Sequence, residues 1–363
     1  MAGFNTRLVH QPRQNDNQTG AVAVPVYKAT TFAYPKIGAQ VKYDYSRSGN
    51  PTRNAVEEQL ACLEGGDRAF VLASGMAAIH AALAIFAAGD HIVISDQIYG
   101  GTFRIVYQYF KDRGLEFTAV DTRDLAAVEK AIQPNTKAIY FEPVTNPLLQ
   151  VTPVSGIAQL AHEHGILAIT DNTFLSPYLL RPLKYGADLV VHSATKYLAG
   201  HNDILGGIVV VKDPVLADFY FQYTITVGDT MSAFDSWLLT RSLKTLPLRM
   251  QQHTASAKKI VSFLEQAPHV EKVLYPGKAG MISFYLDSDE EVDRVLKSIK
   301  LITFVESLGG AESLLTIPYY QTHDDVAEDQ RLRLGITPRL LRLSVGLENA
   351  DDLIADLAQA LGE

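Results

Sequence analysis

Between residues 53 and 211 the apolar positions follow two alternating patterns. Short runs that are apolar throughout alternate with longer segments in which apolar residues recur every three or four positions. The first pattern predicts strands buried on both faces, and the second predicts amphipathic helices. Such an alternation is typical of a parallel sheet covered by helices. The predicted strands are Ala69–Ala73, His91–Ser95, Phe117–Val120, Ala138–Glu142, Ile166–Thr170, Leu189–His192 and Ile208–Val211.

Five helices are predicted in this part, one before the first strand and four between strands. Two of them end at glycines, which are frequent helix stops. Their ranges are Asn54–Leu63, Met76–Ala88, Thr102–Arg113, Leu125–Ile132 and Val154–His164.

The pattern changes after residue 232. A long amphipathic helix is predicted from about Ala233 to Gln266, with a bend at Pro247. The strands predicted at Gly280–Leu286 and Leu341–Val345 and the helices predicted at Glu290–Ile299 and Asp351–Leu361 indicate a smaller α+β unit. We therefore expect an α/β protein in three parts, at residues 1–52, 53–232 and 233–363.

The first 52 residues are polar and aromatic and show little periodicity. They include a polar loop at 15–20, a segment predicted to be extended at Val22–Phe32, and a Tyr- and Arg-rich segment at Tyr43–Arg53. A segment without an apolar face of its own cannot form a core. We expect either an arm that lies across another surface, such as that of a second subunit, or an irregular solvated segment.

Composition excludes several classes of protein. The 363 residues are 47% hydrophobic and 20% charged, with a net charge of −8. This is an ordinary globular composition with no basic footprint for nucleic acid or an anionic membrane. Cys62 is the only cysteine, so an intrachain disulfide and a Cys-rich zinc site are excluded. We see no secretory signal or transmembrane run, and we expect a cytoplasmic protein without a metal.

Polar residues follow four of the predicted strands. They are Ser74-Gly75, Asn146, Asp171 and Lys196. Because the carboxyl ends of parallel strands meet at one edge of a sheet, we expect these residues to lie close together. A lysine held out of bulk water is a usable nucleophile. Lys196 is therefore a Schiff-base lysine that carries pyridoxal phosphate (PLP), the lysine of a Ser-x-x-Lys acyl enzyme, or a surface lysine after a strand.

A PLP site requires several groups besides the lysine, and other residues of the chain could supply them. PLP needs a carboxylate at its pyridine nitrogen, donors for its phosphate, an aromatic ring to stack on and a cation for the substrate's carboxylate. The candidates are, in that order, Asp171; the helix start at Ser74–Met76 with Ser193 and Thr195; Tyr99; and Arg342. Each has a simpler interpretation: a turn cap for Asp171, a helix N-cap for Ser74, a turn residue for Tyr99 and a salt-bridged strand residue for Arg342.

The sequence lacks the motifs that other classes of enzyme would require. The acyl-enzyme interpretation requires Ser-Asp-Asn and Lys-Thr-Gly downstream of Lys196, and the nearest later match is Lys244-Thr245-Leu246. The sequence also contains no Gly-x-Gly-x-x-Gly, no Walker-type phosphate loop and no His-Glu-x-x-His. These absences favour PLP.

Over nearly its whole length the chain resembles the Cys/Met-metabolism (transsulfuration) family of PLP enzymes. This family includes cystathionine γ-synthases, cystathionine β- and γ-lyases, methionine γ-lyases and O-acylhomoserine sulfhydrylases. The motifs that carry the resemblance are Tyr45–Thr52, Ser74–Ile79, Tyr99–Thr102, Asn146–Pro147, Asp171–Thr173, His192–Tyr197, Glu306–Gly310 and Leu341–Gly346.

The resemblance implies PLP fold type I, as in aspartate aminotransferase, with a seven-stranded, mostly parallel sheet. It also implies a homotetramer of two tight dimers. Lys196, Tyr99 and Asp171 would be catalytic. The phosphate would be held by Gly75, Met76, Ser193 and Thr195, together with Tyr45 and Arg47 from the neighbouring subunit. Asn146 would lie near the ring hydroxyl, and Ser307 and Arg342 would bind the substrate's carboxylate.

The reaction implied is cleavage of a sulfur amino acid. Glu306 would place a carboxylate near the entrance, which suits the distal ammonium group of cystathionine. Gly101 stands where methionine γ-lyases carry a cysteine, which argues against that member. We therefore expect a cystathionine β- or γ-lyase, with cystathionine γ-synthase or O-acylhomoserine sulfhydrylase as the alternative. A PLP-binding module without catalysis is disfavoured because the catalytic set is complete.

Overall fold

The larger of two β-sheets has seven strands. The computed structural model describes residues 3–10 and 19–362, so of the loop predicted at 15–20 only Thr19 and Gly20 are described. The strands are β1 (Arg68–Leu72), β2 (His91–Ser95), β3 (Glu116–Val120), β4 (Thr136–Phe141), β5 (Leu167–Asp171), β6 (Leu189–Ser193) and β7 (Gly207–Val211). Their order is β1-β7-β6-β5-β4-β2-β3, and only β7 runs antiparallel to its neighbours. The predicted seven-stranded, mostly parallel sheet is confirmed.

Eight α-helices belong to the described chain before residue 228. They are α1 (Phe4–His10), α2 (Pro51–Glu64), α3 (Gly75–Leu83), α4 (Gly100–Ile105), α5 (Leu125–Ala131), α6 (Val154–Glu163), α7 (Ser176–Leu179) and α8 (Pro214–Val227). Apolar side chains from both faces of the sheet pack against helices, and the middle of every strand but β3 is buried. Helices α1, α7 and α8 were not predicted.

Two predicted helices in this part are too long. The predicted Met76–Ala88 helix ends at Leu83, and the Asp90 carboxylate accepts the Ala87 N–H in the turn that follows. The predicted Thr102–Arg113 helix is α-helical only to Ile105 and continues as a π-helical turn at Val106–Phe110 and a 3₁₀ turn at Lys111–Arg113. Helix propensity is a weak guide where tertiary packing sets the end of an element.

The smaller sheet lies in the last third of the chain. Its strands are β8 (Val270–Leu274), β9 (Met281–Leu286), β10 (Thr303–Phe304), β11 (Leu314–Thr316) and β12 (Leu340–Ser344), in the order β10-β11-β12-β9-β8. The helices are α9 (Ala233–Leu243), α10 (Leu246–Leu264), α11 (Asp289–Ser298), α12 (Glu328–Leu334) and α13 (Ala350–Leu361). Side chains of α10, α11 and α13 share one buried apolar cluster with this sheet. The predicted α+β character is confirmed.

The single helix predicted from Ala233 to Gln266 is wrong. Helices α9 and α10 are separated at Lys244 and Thr245. Pro247 lies in the first turn of α10, where the N–H group that proline lacks would have no helical partner. Proline therefore starts the second helix rather than bending one long helix.

Residues 19–50 form neither a helix nor a multi-residue strand. Their one ladder contact is an isolated antiparallel pairing of Thr31 with Tyr45, so the predicted extended segment at Val22–Phe32 does not join a sheet. Val22 and Ile37 are largely exposed. The division of the chain at residues 52 and 232 stays a prediction. None of the described helices is long and apolar enough to cross a membrane.

Candidate active site

A cavity lies at the carboxyl ends of β1, β4, β5 and β6. Every predicted site residue except Tyr45 and Arg47 lines it. The lining residues are Ser74, Gly75, Met76, Ile79, Tyr99, Glu142, Val144, Asn146, Asp171, Thr173, Phe174, Ser193, Thr195, Lys196, Leu205, Glu306, Ser307, Leu308, Thr322 and Arg342. Strand direction gathers the lining residues between Ser74 and Lys196, whereas Glu306, Ser307 and Arg342 reach the cavity from the last third of the chain.

Lys196 follows β6 by three residues. Its Nζ donates to Ser307 Oγ at 3.1 Å. Burial and, to a smaller extent, the Arg342 charge lower the pKa of Lys196 to about 8, against the opposing effect of the Glu306 carboxylate. A substantial fraction of the amine is therefore neutral and nucleophilic at mildly alkaline pH, which a solvated surface lysine would not be.

Asp171 is held by the turn that follows β5. Its Oδ1 accepts the Thr173 backbone N–H at 3.0 Å and the Thr173 hydroxyl at 2.5 Å. The Thr173 Oγ1 in turn accepts the Ser193 backbone N–H at 2.8 Å, which ties β5 to β6. Burial raises the pKa of Asp171, whereas the two Thr173 donors and the His192 charge lower it. Asp171 therefore has a local turn role and also faces the cavity.

The N-terminus of α3 forms one wall of the cavity. The Ser74 hydroxyl caps the helix by accepting the Ala77 N–H at 3.1 Å. The amides of Gly75 and Met76 make no hydrogen bond to any described residue, and both residues line the cavity. A Cβ at Gly75 would lie 2.8 Å from both Cβ and Oγ of Ser193. Gly75 therefore lets Ser193 of β6 pack directly against this helix end, and the free amides of the end suit an anion.

The second hydroxyl of the lysine motif is engaged by the backbone. Thr195 Oγ1 accepts the Gly206 N–H at 3.0 Å. It joins the turn after β6 to the start of β7 and still lines the cavity.

Arg342 lies on β12 of the smaller sheet and reaches the cavity from that side. Only 2% of its surface is exposed, and among the described residues no carboxylate lies within ion-pair distance of it. It donates to Asn146 Oδ1 at 2.8 Å and to the Ser307 carbonyl at 3.2 Å, and its Nε has no partner. Burial lowers the pKa of Arg342 to about 10. The simpler interpretation as a salt-bridged strand residue is wrong, and an anionic ligand would compensate the buried charge.

Sequence reasoning missed two contributors, Glu142 and Thr173. Glu142 follows β4 directly, is 5% exposed, and its Oε1 accepts the Tyr99 backbone N–H at 2.8 Å. Burial raises the pKa of Glu142 well above its usual value, and the Asp171 charge raises it further. An acidic residue at the end of an apolar strand was the available signal, because it matches the position of Asp171 on the next strand.

Tyr45 and Arg47 do not reach this cavity within one chain. They line a separate cavity with Tyr27, Asn50 and Met231, and Arg47 donates to the Ile225 carbonyl. The Arg47 guanidinium lies 5.5 Å from the Tyr45 ring centroid. Within the described residues no group of three His, Cys, Asp or Glu side chains could hold a metal ion.

Comparisons with known proteins point to one family. Residues 5–362 match the family model described as Cys/Met metabolism PLP-dependent enzyme. The chain is 48% identical to a cystathionine gamma-synthase/O-acetylhomoserine (thiol)-lyase of Bacillus subtilis (strain 168), over 98% of this chain and 95% of that protein. It is 45% identical to a cystathionine gamma-lyase of the same organism, over 98% of both chains. The solved structure of cystathionine gamma-lyase from Lactobacillus plantarum complexed with L-serine superposes with a TM-score of 0.97 at 47% identity, over 99% of this chain and 98% of that one.

Proposed function

The chain belongs to the Cys/Met metabolism PLP-dependent enzymes, and we propose that it cleaves the carbon–sulfur bond of cystathionine by β- or γ-elimination. The products would be a thiol amino acid, a 2-oxo acid and ammonia. One observation carries the proposal: a cavity places the lowered-pKa amine of Lys196 with the Asp171 carboxyl and the unpaired Arg342 cation. Two named lyase relatives, one of them a solved structure, support it.

The cavity fits PLP. The free amides of Gly75 and Met76 at the start of α3 suit a phosphate, and the Ser193 hydroxyl is packed beside Gly75. Asp171 suits the pyridine nitrogen, Asn146 the ring hydroxyl and Tyr99 the ring face. We propose these residues, together with Met76 and Thr195, as the cofactor site and Lys196 as the covalent attachment point.

When bound, PLP supplies an electron sink for the α-carbon of an amino acid. Lys196 Nζ would remove the α-proton and, for a γ-leaving group, a further proton from the β-carbon. Its pKa of about 8 leaves both protonation states populated near neutral pH, which suits a group that accepts and returns protons. Asp171 would hold the proton on the pyridine nitrogen, and Tyr99 would assist proton transfer.

The substrate would be held at both ends. Arg342 would bind the α-carboxylate in a two-pronged contact, with Ser307 and Asn146 beside it. Glu306 is exposed where the cavity opens, and its carboxylate would attract the distal ammonium group of cystathionine. Thiol-bearing substrates without that second ammonium would lose this contact.

We also propose that the enzyme is a homotetramer of two tight dimers acting in the cytoplasm. Tyr45 and Arg47 would complete the phosphate site of a neighbouring subunit, which would give residues 1–52 their role. The exposed course of the described arm and its separation from the cavity of its own chain support this proposal.

Cystathionine supplied alone tests the lyase proposal. Pyruvate with homocysteine would identify β-elimination, and 2-oxobutyrate with cysteine would identify γ-elimination. Lys196→Ala should abolish turnover, because both proton transfers would lose their carrier. Neither oxo acid from the PLP-loaded wild type, or undiminished turnover by Lys196→Ala, would contradict the proposal.

The alternative function is γ-replacement by a cystathionine γ-synthase or O-acylhomoserine sulfhydrylase. The 48% identity to a protein named for both activities favours keeping it. The same preparation given an O-acylhomoserine and cysteine should then form cystathionine. This reaction, in the absence of oxo-acid release from cystathionine, would identify the synthase.

A further inference from the structure

Glu142 has a buried carboxyl without a cationic partner. It follows β4 at the floor of the cavity, and among the described residues no Lys, Arg or His lies within ion-pair distance of it. Glu142 Oε1 accepts a hydrogen bond from the Tyr99 backbone N–H at 2.8 Å, and the two residues are 43 positions apart in the sequence. Burying a carboxyl is costly, so a function for it is expected.

The hydrogen bond to Glu142 is made by the backbone of Tyr99 at the start of α4. Tyr99 is the N-cap residue of α4, with φ −48° and ψ 135°, and its side chain makes no capping hydrogen bond. Glu142 therefore supplies from another strand the acceptor for the N-cap N–H that a Glu or Gln in the first turn of the helix supplies in a capping box. It fixes the backbone from which the Tyr99 ring projects.

Space around the ring is closely restricted. A Cβ at Gly101 would lie 2.4 Å from Cε1 of Tyr99 and 2.7 Å from the Met76 sulfur. A Cβ at Gly100 would lie 2.0 Å from the Thr322 carbonyl oxygen. The ring therefore occupies a slot that Gly101 leaves open, while Gly100 lets the Thr322 backbone pack against the start of α4, and a shift of the Tyr99 backbone would move the ring out of its slot.

We propose that Glu142 is a positioning residue that holds the Tyr99 ring against the cofactor through the Tyr99 backbone. The inference rests on the proposed PLP function, because it assigns Tyr99 to the ring face. Glu142 acts through Tyr99 and need not touch the substrate.

The electrostatic environment is consistent with this role. Burial and the Asp171 charge raise the pKa of Glu142 well above its usual value, and the backbone amides of Tyr99 and Asn146 oppose this only in part. Asp171 receives two donors from Thr173 and the favourable charge of His192. Of these two neighbouring buried carboxyls, Glu142 therefore has the more strongly raised pKa. A neutral Glu142 still offers a carbonyl oxygen to Tyr99.

Three variants of Glu142 and one control test the proposal. Glu142→Gln keeps a neutral acceptor of the same length, Glu142→Asp withdraws it by one methylene, and Glu142→Ala removes it. The control is Glu348→Ala, because Glu348 also accepts a backbone N–H, that of Ser313 at 2.6 Å, but lies outside the cavity.

The main readout is the visible circular dichroism of bound PLP, measured with the PLP dissociation constant and the melting temperature. Glu142→Ala should lose most of the wild-type ellipticity and bind PLP about tenfold more weakly, because an unsupported Tyr99 no longer fixes the ring. Glu142→Asp should show a smaller loss, and Glu142→Gln should keep most of the signal. Glu348→Ala should melt lower and keep the cofactor signal.

Wild-type ellipticity in Glu142→Ala, or equal impairment in Glu142→Gln and Glu142→Ala, would overturn the proposal. If Glu142→Ala does not fold, wild-type ellipticity in Glu142→Asp would overturn it equally. The cystathionine assay on the wild type separates the two proposals. Failure to release an oxo acid would reject the lyase function and leave the dichroism result unaffected.

Discussion

At the residue scale, the charges around the cavity act on one amine. Lys196 is surrounded by Arg342, which lowers its pKa, and Glu306, which raises it. The hydrogen-bond acceptors of Arg342 are neutral, so they do not cancel the electrostatic effect of its guanidinium on Lys196. Burial therefore lowers the pKa of the lysine most, and a balance between two residues proposed to bind opposite ends of the substrate adjusts it.

That balance predicts the pH dependence of PLP capture. In the apoenzyme, the rate of PLP recombination should rise with pH to a midpoint near 8, because only the neutral amine is nucleophilic. Glu306→Gln removes the charge that raises the pKa, so its midpoint should lie lower than that of the wild type. Stopped-flow absorbance of PLP binding measures both profiles. A midpoint near the ordinary lysine value, or an upward shift in Glu306→Gln, would refute the assignment.

Gly75 provides a second prediction at this scale. Gly75→Ala places a Cβ 2.8 Å from Ser193, so the phosphate wall must move and PLP should bind at least about tenfold more weakly. Gly156→Ala is the control, because its Cβ would meet Leu125 Cδ1 at the same 2.8 Å, but that atom ends a flexible, partly exposed side chain. Fluorescence titration with PLP compares the variants. Equal affinity in both would show that the α3 start is not the phosphate site.

At the element scale, a buried polar pair joins α2 to β6. His192 Nε2 and Glu64 Oε1 lie 2.6 Å apart, with 1% and 0% of their side chains exposed. His192 precedes the Ser193–Lys196 turn, and α2 follows the N-terminal arm. The pair therefore connects the element that bears Lys196 to the helix next to the arm.

Breaking this pair should be costly. His192→Ala leaves the Glu64 carboxyl buried without its closest partner, and the free energy of unfolding should fall by about 3 kcal/mol. Lys297→Ala breaks the exposed Asp293–Lys297 pair on α11 and should cost about 0.5 kcal/mol or less. Urea unfolding gives both values. Similar losses of unfolding free energy in the two variants would show that the buried pair stabilises the fold no more than the exposed pair does.

At the scale of the whole molecule, the position of the N-terminal arm determines whether one chain forms a complete active site. Arg47 and Lys196 line different cavities of the same chain. If the arm serves a neighbouring subunit, a complete site combines Lys196 of one chain with Arg47 of another. In a two-fold dimer with an isologous interface, each subunit would contribute Arg47 to the site of the other, so both sites would be completed.

Mixing two variants tests the exchange. Lys196→Ala and Arg47→Ala should each be strongly impaired alone. After unfolding and refolding together, about a quarter of the sites should contain both natural residues, and activity should return to about that level. Mixing without refolding is the control. No recovery after subunit exchange confirmed by mass spectrometry would place Arg47 in the site of its own chain, or outside any site.

The sequence by itself determined the large sheet and much of the site. Continuous apolar runs specify strands buried on both faces, and parallel strands end at one edge, so Asp171 and Lys196 had to be neighbours. The environment of each residue was decided only by tertiary structure. No local pattern shows that Arg342 lacks a carboxylate or that Glu142 accepts a hydrogen bond from Tyr99. Those outcomes depend on contacts between residues far apart in sequence, which exist only once both sheets have packed.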